Sequence, residues 1–396
     1  MDKNKFWWDI GGHVLFSHYK YYDDVVNRIL GENFLEHLRE SWIWVMNRFV
    51  PYPFQNNIHR LPKGKMEECL KGLNAGGKKS ENFEEWIYST FGKGIAKYFM
   101  VPYNEKVWAH PLEKMSKDWI AERVSVVDIG RVKQNIAEKK DDVSWGPNNK
   151  FIFPLYGGTG SLFSGIAGLF GDKIHFNKDV SEVDAGKRKI VFADGSMTEY
   201  DCLITTMPLD KFVKKASLKG LYKYLKNLVH SSGLIVGIGI NKKCPSNKCW
   251  VYFPEKNSPF YRVTYFSNYS PNNAPAGHFS LMSETSCSKT KRENKSGIIE
   301  KTIQGMINSR LISKNDAKKI VSKYLIDVEY SYPVPTLGRD KALMAIQKCL
   351  MAKGIYSRGR FGAWKYEIGN MDHSFMQGVE AVNNILLGEK EKTWSL

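Results

Sequence analysis

Long uncharged apolar runs are absent from this 396-residue sequence. A membrane-spanning helix needs about eighteen or more consecutive apolar residues, and no segment approaches that length. Residues 1–5 lead into Phe6-Trp7-Trp8 and an aspartate, which does not form the apolar core of a signal peptide. We therefore expect a cytoplasmic protein without a membrane partner.

Cysteine is scarce and scattered. Of the six cysteines, only Cys244 and Cys249 lie close together, and no second pair of cysteines or histidines completes a zinc spacing. A disulfide framework is not expected in a chain of this length without a secretion signal. The sequence predicts reduced thiols and no metal site.

The sequence also lacks a G-x-G-x-x-G motif. This motif forms the turn of a dinucleotide-binding βαβ unit and places a pyrophosphate at the helix N-terminus. Gly237-Ile238-Gly239 is the nearest approach, but it lies in a β-rich run with no helix after it.

Positive charge is abundant, because 58 lysines and arginines face 41 aspartates and glutamates for a formal net charge of +17. Clusters such as Lys211, Lys214 and Lys215 are compatible with a nucleic-acid footprint. The basic residues are scattered rather than arranged in a stripe, which favours an ordinary solvated surface. We expect no nucleic-acid partner, whereas a small anionic partner such as a diphosphate would be attracted by this charge.

Hydrophobic periodicity indicates a mixed α/β class with an antiparallel sheet and a helical insertion. Helices are predicted at residues 23–30, 62–119, 295–311, 340–351 and 374–387, with Ser80 capping the helix over 83–91. Strands are predicted at residues 42–50, 201–206, 234–240, 250–253, 262–266 and 279–284, with a hairpin from 189–192 to 199.

Several segments combine aromatic and polar residues with glycine and proline, as loops around a binding site do. Gly11 and Gly12 would let the backbone lie flat against a planar ligand, since no Cβ intervenes. The other segments are residues 50–57, 102–108, 250–252, 261–262, 268–269, 332–333 and 358–370. Each alone is explained by packing, but together their arginines and aromatic rings predict a site for an anionic nucleotide.

These segments together resemble the UDP-galactopyranose mutases, particularly the eukaryotic-type branch. The likeness is carried by residues 9–17, 52–58, 102–109, 145–153, 249–271 and 357–375, and it runs in order from about residue 8 to residue 387. It implies a flavoprotein isomerase that uses FAD to interconvert UDP-galactopyranose and UDP-galactofuranose. In that family, N5 of the reduced flavin attacks the anomeric carbon, UDP leaves, and the sugar ring opens and recloses through an iminium adduct.

The resemblance also implies an architecture. We expect an α/β fold in which an incomplete FAD-binding Rossmann-like domain, of the amine-oxidase and mutase type, carries a helical insertion and an antiparallel β-sheet substrate domain. The expected domains are residues 1–40 as a remnant of the FAD domain, 41–145 as a mainly helical uridine-binding insertion, 146–230 as an FAD-domain return segment, 231–335 as the substrate sheet, and 336–396 as the C-terminal FAD segment.

Individual roles follow from the same resemblance. Catalytic roles fall on His13, Arg123, Arg262 and Arg360, and Arg123 and Arg262 would bind the substrate diphosphate. The implied substrate contacts are Phe16, Tyr52, Phe54, Gln55, Asn104, Trp108, Asn148 (on a closing flap), Trp250, Tyr252, Tyr269, Tyr332 and Tyr366. The implied flavin contacts are Gly11, Gly12, His13, Gly158, Thr159, Gly369, Asn370 and Ser374.

The sequence departs from the family at its start, where only ten residues precede Gly11 and leave no room for a βαβ unit of about thirty residues. Met371 also stands where a glutamine would be expected beside the flavin. Three interpretations stay open: a truncated or split gene product completed by an N-terminal fragment, an independent mutase, and a non-catalytic UDP-sugar-binding paralogue. An amine-oxidase-like flavin oxidoreductase is the alternative from another class, although it would not need Arg123 and Arg262. The oligomeric state stays open.

Overall fold

The computed structural model describes residues 1–73, 79–120, 124–125, 127–143 and 149–395. The chain divides into two compact units. The first unit consists of Met1–Leu15, Leu30–Ser161 and Ser231–Ser331, and the second of Phe16–Ile29, Leu162–His230 and Tyr332–Leu396.

Fourteen strands occur in the described parts of the chain. They are β1 Phe34–Leu38, β2 Ser41–Val45, β3 Arg48–Pro51, β4 Lys150–Pro154, β5 Val180–Asp184, β6 Lys189–Phe192, β7 Met197–Glu199, β8 Leu203–Thr205, β9 Val229–Ile240, β10 Trp250–Tyr252, β11 Arg262–Tyr265, β12 Phe279–Cys287, β13 Ile320–Val334 and β14 Ile355–Ser357.

Thirteen α-helices occur in the same described residues. They are α1 Lys20–Leu30, α2 Lys63–Leu73, α3 Phe83–Ile95, α4 Val101–Trp108, α5 Ile129–Glu138, α6 Gly160–Gly168, α7 Leu209–Lys215, α8 Tyr222–Leu225, α9 Ile298–Asn308, α10 Lys314–Ala317, α11 Arg339–Met351, α12 Gly359–Gly362 and α13 Met371–Leu387. None of these helices has the length and apolar character needed to cross a membrane.

A seven-stranded sheet forms the core of the first unit, in the order β13-β9-β12-β11-β10-β2-β3. The strands from β9 to β12 pair antiparallel, as the sequence predicts, whereas β10 pairs with β2 in parallel. Every residue of β12 is buried, and Leu281 packs in one cluster with Val236, Ile238 and Phe260. Each such buried apolar side chain contributes about 1.5–3 kcal/mol relative to an exposed one, so this sheet is a rigid support for the residues along its strands.

The predicted strand over residues 42–50 is a hairpin of β2 and β3 instead. Met46 and Asn47 turn the chain with φ angles of 52° and 57°, the left-handed values that a tight hairpin turn requires. The Met46 N–H donates to Glu255 Oε1 at 2.8 Å. A side chain distant in sequence therefore stabilises the turn, whereas Met46 and Asn47 by themselves do not predict it. The predicted cap at Ser80 is also wrong, because Asn82 accepts from the Glu85 N–H at the start of α3.

The helices of the first unit pack through glycines. A Cβ on Gly92, which has φ +69°, would lie 2.2 Å from the carbonyl of Gly72, so α2 and α3 touch backbone to backbone. The chain then continues through a wide turn, Ala96–Met100, into α4. This path brings the aromatic residues of α4 to the first unit's candidate site.

The second unit contains two small sheets. Strands β5, β6 and β7 form an antiparallel meander that includes the predicted hairpin. Strands β8 and β14 pair in parallel, and within the described residues each of them pairs only with the other. Helix α13 begins at Met371, three residues before its predicted start.

Candidate functional site

In the first unit, the glycine loop at residues 9–13 is joined to a buried carboxylate. The Gly12 N–H donates to Glu284 Oε1 at 3.0 Å. A Cβ on Gly12 would lie 2.1 Å from Thr264 Oγ1, so only glycine allows this approach. The predicted His13 lies close enough to Glu284 to lower the pKa of that carboxyl group.

Glu284 also holds Arg262, the arginine predicted to bind a diphosphate. Glu284 Oε1 accepts from Arg262 Nε at 2.9 Å and Nη2 at 2.6 Å, and Tyr261 donates its hydroxyl to Oε2 at 2.5 Å. Burial by itself would raise the pKa of Glu284, but the Arg262 charge, His13 and these hydrogen bonds outweigh it, and the pKa is lowered. The carboxylate is therefore ionised at neutral pH, and it positions the guanidinium.

The predicted flavin contacts Gly158 and Thr159 are joined to the same glycine loop by Asp9. Asp9 Oδ2 accepts from the Thr159 N–H at 2.9 Å and from its hydroxyl at 3.0 Å. A Cβ on Gly158, which has φ +60°, would lie 2.1 Å from Asp9 Oδ1. Burial raises the pKa of Asp9, although the Thr159 hydrogen bonds oppose this rise. Two glycine-containing loops thus lie side by side in the first unit.

Aromatic rings line up beside Arg262. The Tyr52 and Tyr252 ring centroids are 5.3 Å apart, and Tyr252 in turn lies 5.2 Å from Tyr103. Arg39 lies over Tyr52 at 5.0 Å and over Trp250 at 5.1 Å. The structure therefore groups the predicted Tyr52, Tyr252 and Trp250 around a cation that sequence reasoning missed, and no sequence signal marks Arg39.

The other predicted substrate contacts of the first unit are buried. Gln55 donates to the Ser125 carbonyl at 2.7 Å, and Trp108 donates to Asn104 Oδ1 at 3.2 Å. Phe54 and Tyr269 are fully buried, with Phe54 stacked on Phe99 at 5.0 Å. Contact of Phe54, Gln55, Asn104 and Trp108 with uridine, and of Tyr269 with the diphosphate, stays a prediction.

A second group of predicted residues meets in the second unit. Arg360 Nε donates to the Gly369 carbonyl at 2.9 Å, and its guanidinium lies 5.6 Å from the Tyr332 ring centroid. Tyr332 and Tyr366 meet edge to face at 5.6 Å. Asn370 occupies the N-cap position of α13 without a side-chain capping bond, and its backbone carbonyl accepts from the Ser374 N–H at 2.9 Å. Phe16 is half-buried in the same unit.

Buried residues that sequence reasoning missed fix this segment. Gln377 accepts from the Gly359 N–H and donates to the Ile368 carbonyl, both at 2.8 Å. Arg339 binds Glu367 through two hydrogen bonds of 2.9 and 2.8 Å. These four hydrogen bonds attach Gly359, Glu367 and Ile368 of the predicted site region 358–370 to Gln377 and Arg339 outside it. The position of the region therefore depends on the surrounding fold as well as on the loop itself. Arg123 and Asn148 lie outside the described residues.

No protein-family model matches this chain. Among solved structures, a putative protoporphyrinogen oxidase from Exiguobacterium sp. 255-15 aligns with a TM-score of 0.67 at 13% identity, covering 91% of this chain and 85% of that one. A putrescine oxidase variant aligns with a TM-score of 0.61 at 11% identity, covering 96% and 90%. These likenesses show the fold, which confirms the predicted class of mixed α/β proteins with the amine-oxidase type of architecture.

A reduced UDP-galactopyranose mutase is far more similar. Its crystal structure aligns with a TM-score of 0.95 at 44% identity, covering 99% of this chain and 86% of that chain. The chain belongs to the UDP-galactopyranose mutase family. This membership confirms the predicted enzyme class, an isomerase, and it supports FAD as the cofactor.

Proposed function

We propose that this protein interconverts UDP-galactopyranose and UDP-galactofuranose, with Arg262 binding the diphosphate of the sugar nucleotide. The observation that carries the proposal is the link from the glycine loop through Glu284 to Arg262. One buried carboxylate sets the position of both a flat backbone surface and a cation. A planar cofactor and an anionic substrate require these two features next to each other.

The residues of the first unit fit a flavin. The loops at residues 11–12 and 158–159 are each fixed by a carboxylate, because Glu284 accepts from the Gly12 N–H and Asp9 accepts from the Thr159 N–H. A Cβ on Gly12 or on Gly158 would lie 2.1 Å from Thr264 or Asp9, so glycine is required at both positions by close packing within the protein. When bound in its reduced form, FAD supplies the nucleophile for the anomeric carbon. The protein then contributes orientation and charge neutralisation.

The aromatic residues fit the rest of the substrate. Tyr52, Tyr252 and Trp250 lie around Arg39, and such faces stack on a nucleobase or a sugar. In the second unit, Arg360 and the Tyr332–Tyr366 pair offer a further cation and two hydroxyl groups. We assign the group of the first unit to the sugar nucleotide, and substrate contact by Arg360, Tyr332 and Tyr366 stays a prediction. We assign the chain to the eukaryotic-type branch on the motifs given above.

We further propose that tight FAD binding requires a dinucleotide-binding βαβ unit beside strands β8 and β14. Parallel sheets are normally larger than two strands and covered on both faces. Here Ile204, in the middle of β8, is 36% exposed, and the 396 residues contain no G-x-G-x-x-G motif. Such a unit would come from the same polypeptide or from a separate N-terminal fragment. Tight, stoichiometric FAD binding by the 396-residue chain alone would contradict this part of the proposal.

Arg262→Ala tests the substrate assignment. Loss of a charge-assisted fork to a diphosphate should weaken UDP binding by about 2–4 kcal/mol, measured by quenching of tryptophan fluorescence. Arg262→Lys keeps the charge without the fork and should weaken binding less. Arg292→Ala, at an exposed position of the same unit, is the control. A loss below about 1 kcal/mol in Arg262→Ala would show that Arg262 does not bind the diphosphate.

A further inference from the structure

Two histidines and an aspartate come together in the second unit, where helix α13 begins. His18, Asp372 and His373 each place one possible metal-ligating atom within 4.8 Å of those of the other two residues. No other group of three such residues with this spacing occurs in the described ranges of the chain. The three residues take no part in the flavin and sugar-nucleotide contacts assigned above.

The central carboxylate of this triad is fully buried. Asp372 has no exposed surface, and its Oδ2 accepts from the His18 backbone N–H at 3.1 Å and lies 2.7 Å from His18 Nδ1. Its second oxygen, Oδ1, lies 3.1 Å from His373 Nδ1, within ion-pair distance but without the geometry of a good hydrogen bond. Buried polar atoms without a hydrogen bond are uncommon and call for an explanation.

The spacing of these atoms is close to that of ligands on one metal ion. Tetrahedral zinc with metal–ligand distances near 2.1 Å separates neighbouring ligand atoms by about 3.4 Å. His18 Nδ1 lies 2.7 Å from Asp372 Oδ2, and His373 Nδ1 lies 3.1 Å from Asp372 Oδ1. Because these are the two different oxygens of the carboxylate, side-chain movement must bring one of them to both imidazoles. The His18 side chain is 25% exposed, which gives an ion and a water molecule access to the triad.

A further buried group points to the same place. The Tyr22 side chain is 1% exposed, and its hydroxyl has no hydrogen-bond partner. The Asp372 charge acts on this hydroxyl, and the Tyr22 ring packs against Phe375 of α13 with 5.4 Å between centroids. The Tyr22 hydroxyl is therefore a further buried polar group without a hydrogen bond, on a ring that packs against the first turns of α13.

We propose that His18, Asp372 and His373 bind a divalent zinc-like transition-metal ion. Two imidazoles and one carboxylate are the protein ligands of many zinc sites that keep one position open. The ion would connect His18 to the N-terminus of α13, and its role would be structural, holding the start of this helix in place. The sequence-based prediction of no metal site considered cysteine and histidine spacings along the chain, whereas His18 and Asp372 are 354 positions apart.

Cobalt(II) is the direct probe of this site, because its visible absorption reports tetrahedral coordination. The full chain, dialysed against a chelator, should bind one equivalent of Co²⁺, which zinc then displaces. His373→Ala and Asp372→Asn should each weaken binding at least about tenfold. Binding should also weaken as the pH falls from 7.5 to 5.5, because histidine must lose its proton to coordinate.

Matched controls separate this site from surface binding. His175→Ala removes an exposed histidine of the same unit, and Cys202→Ser removes an exposed thiol that could bind cobalt by itself; neither should change the affinity. His18→Gln changes a partly exposed side chain and guards against misfolding of the buried variants. Zinc should raise the Tm of the wild-type protein and not of His18→Gln. Absence of a stoichiometric site, or equal affinity in all variants, would overturn the proposal, and neither outcome depends on flavin or UDP binding.

Discussion

Replacing Glu284 with glutamine removes the charge that holds Arg262 while it keeps the shape of the side chain. The carboxylate is 4% exposed and accepts from Gly12, Tyr261 and Arg262. Removing one member of a buried ion pair costs about 3–5 kcal/mol. Since glutamine keeps one oxygen acceptor for the Gly12 N–H, we expect Glu284→Gln to lower the free energy of unfolding of the first unit by about 2–4 kcal/mol.

The pH dependence of this loss follows from the lowered pKa of Glu284. A carboxyl group whose pKa is lower in the folded state than in the unfolded state stabilises the fold above its unfolded pKa, which is about 4.3. That contribution disappears as the pH falls through the folded-state pKa. The difference between the wild-type protein and Glu284→Gln should therefore be full at pH 7 and should shrink in acid.

Urea unfolding, followed by tryptophan fluorescence at pH 7 and at pH 3, measures both effects. Glu300→Gln is the matched control, because Glu300 is 68% exposed and pairs with Lys323 at 3.3 Å. An exposed pair of this kind contributes about 0–1 kcal/mol. A double-mutant cycle of Glu284→Gln with Arg262→Ala should give a coupling energy above about 1 kcal/mol. Equal losses in Glu284→Gln and Glu300→Gln, or additive effects in the cycle, would refute the reasoning.

Two further predictions concern the same unit. Gly12→Ala should lower the free energy of unfolding of the first unit by about 1–3 kcal/mol, because the new methyl group overpacks against Thr264. Adding Thr264→Ala should restore part of this stability. Gly64→Ala, which has open space around its Cβ, should cause no such loss in the same unfolding assay. Burial and nearby Lys291 lower the pKa of Lys106 to about 7, so the unfolded state binds more protons than the folded state between pH 7 and about 10. Relative to Lys106→Met, the wild-type protein should gain up to about 1.4 kcal/mol of stability per pH unit in that range. Lys289→Met, at an exposed site, should show the wild-type slope. A wild-type slope in Lys106→Met would contradict the assigned pKa.

Most strands of the large sheet can be predicted from the sequence, whereas few of the contacts that support them can. Apolar alternation predicts β9 to β12 because those strands bury one continuous core. The long strand β13, Ile320–Val334, was missed although half-buried residues alternate with exposed ones over much of its length. The β2–β3 turn at Met46 and Asn47 was missed for another reason: its conformation depends on Glu255, which is distant in sequence.

The same distinction holds for the site. Motif resemblance predicts site roles for Gly12, Arg262 and Arg360, because these residues lie in short recognisable strings. Glu284 could have been found from strand register, since β12 places it directly opposite Arg262. Arg39 and Gln377 carry no local signal, because their roles arise only when segments far apart in sequence meet in the fold.

Conversion of UDP-galactofuranose to UDP-galactopyranose, followed by chromatography, tests the central claim most directly. The protein should be assayed with FAD and dithionite, in the presence and absence of a dinucleotide-binding βαβ fragment, beside the Arg262→Ala variant. We expect turnover only under reducing conditions, with a large loss in Arg262→Ala. UDP binding without turnover in any of these conditions, including the reduced protein with the fragment, would contradict the account and identify the chain as a non-catalytic sugar-nucleotide-binding protein.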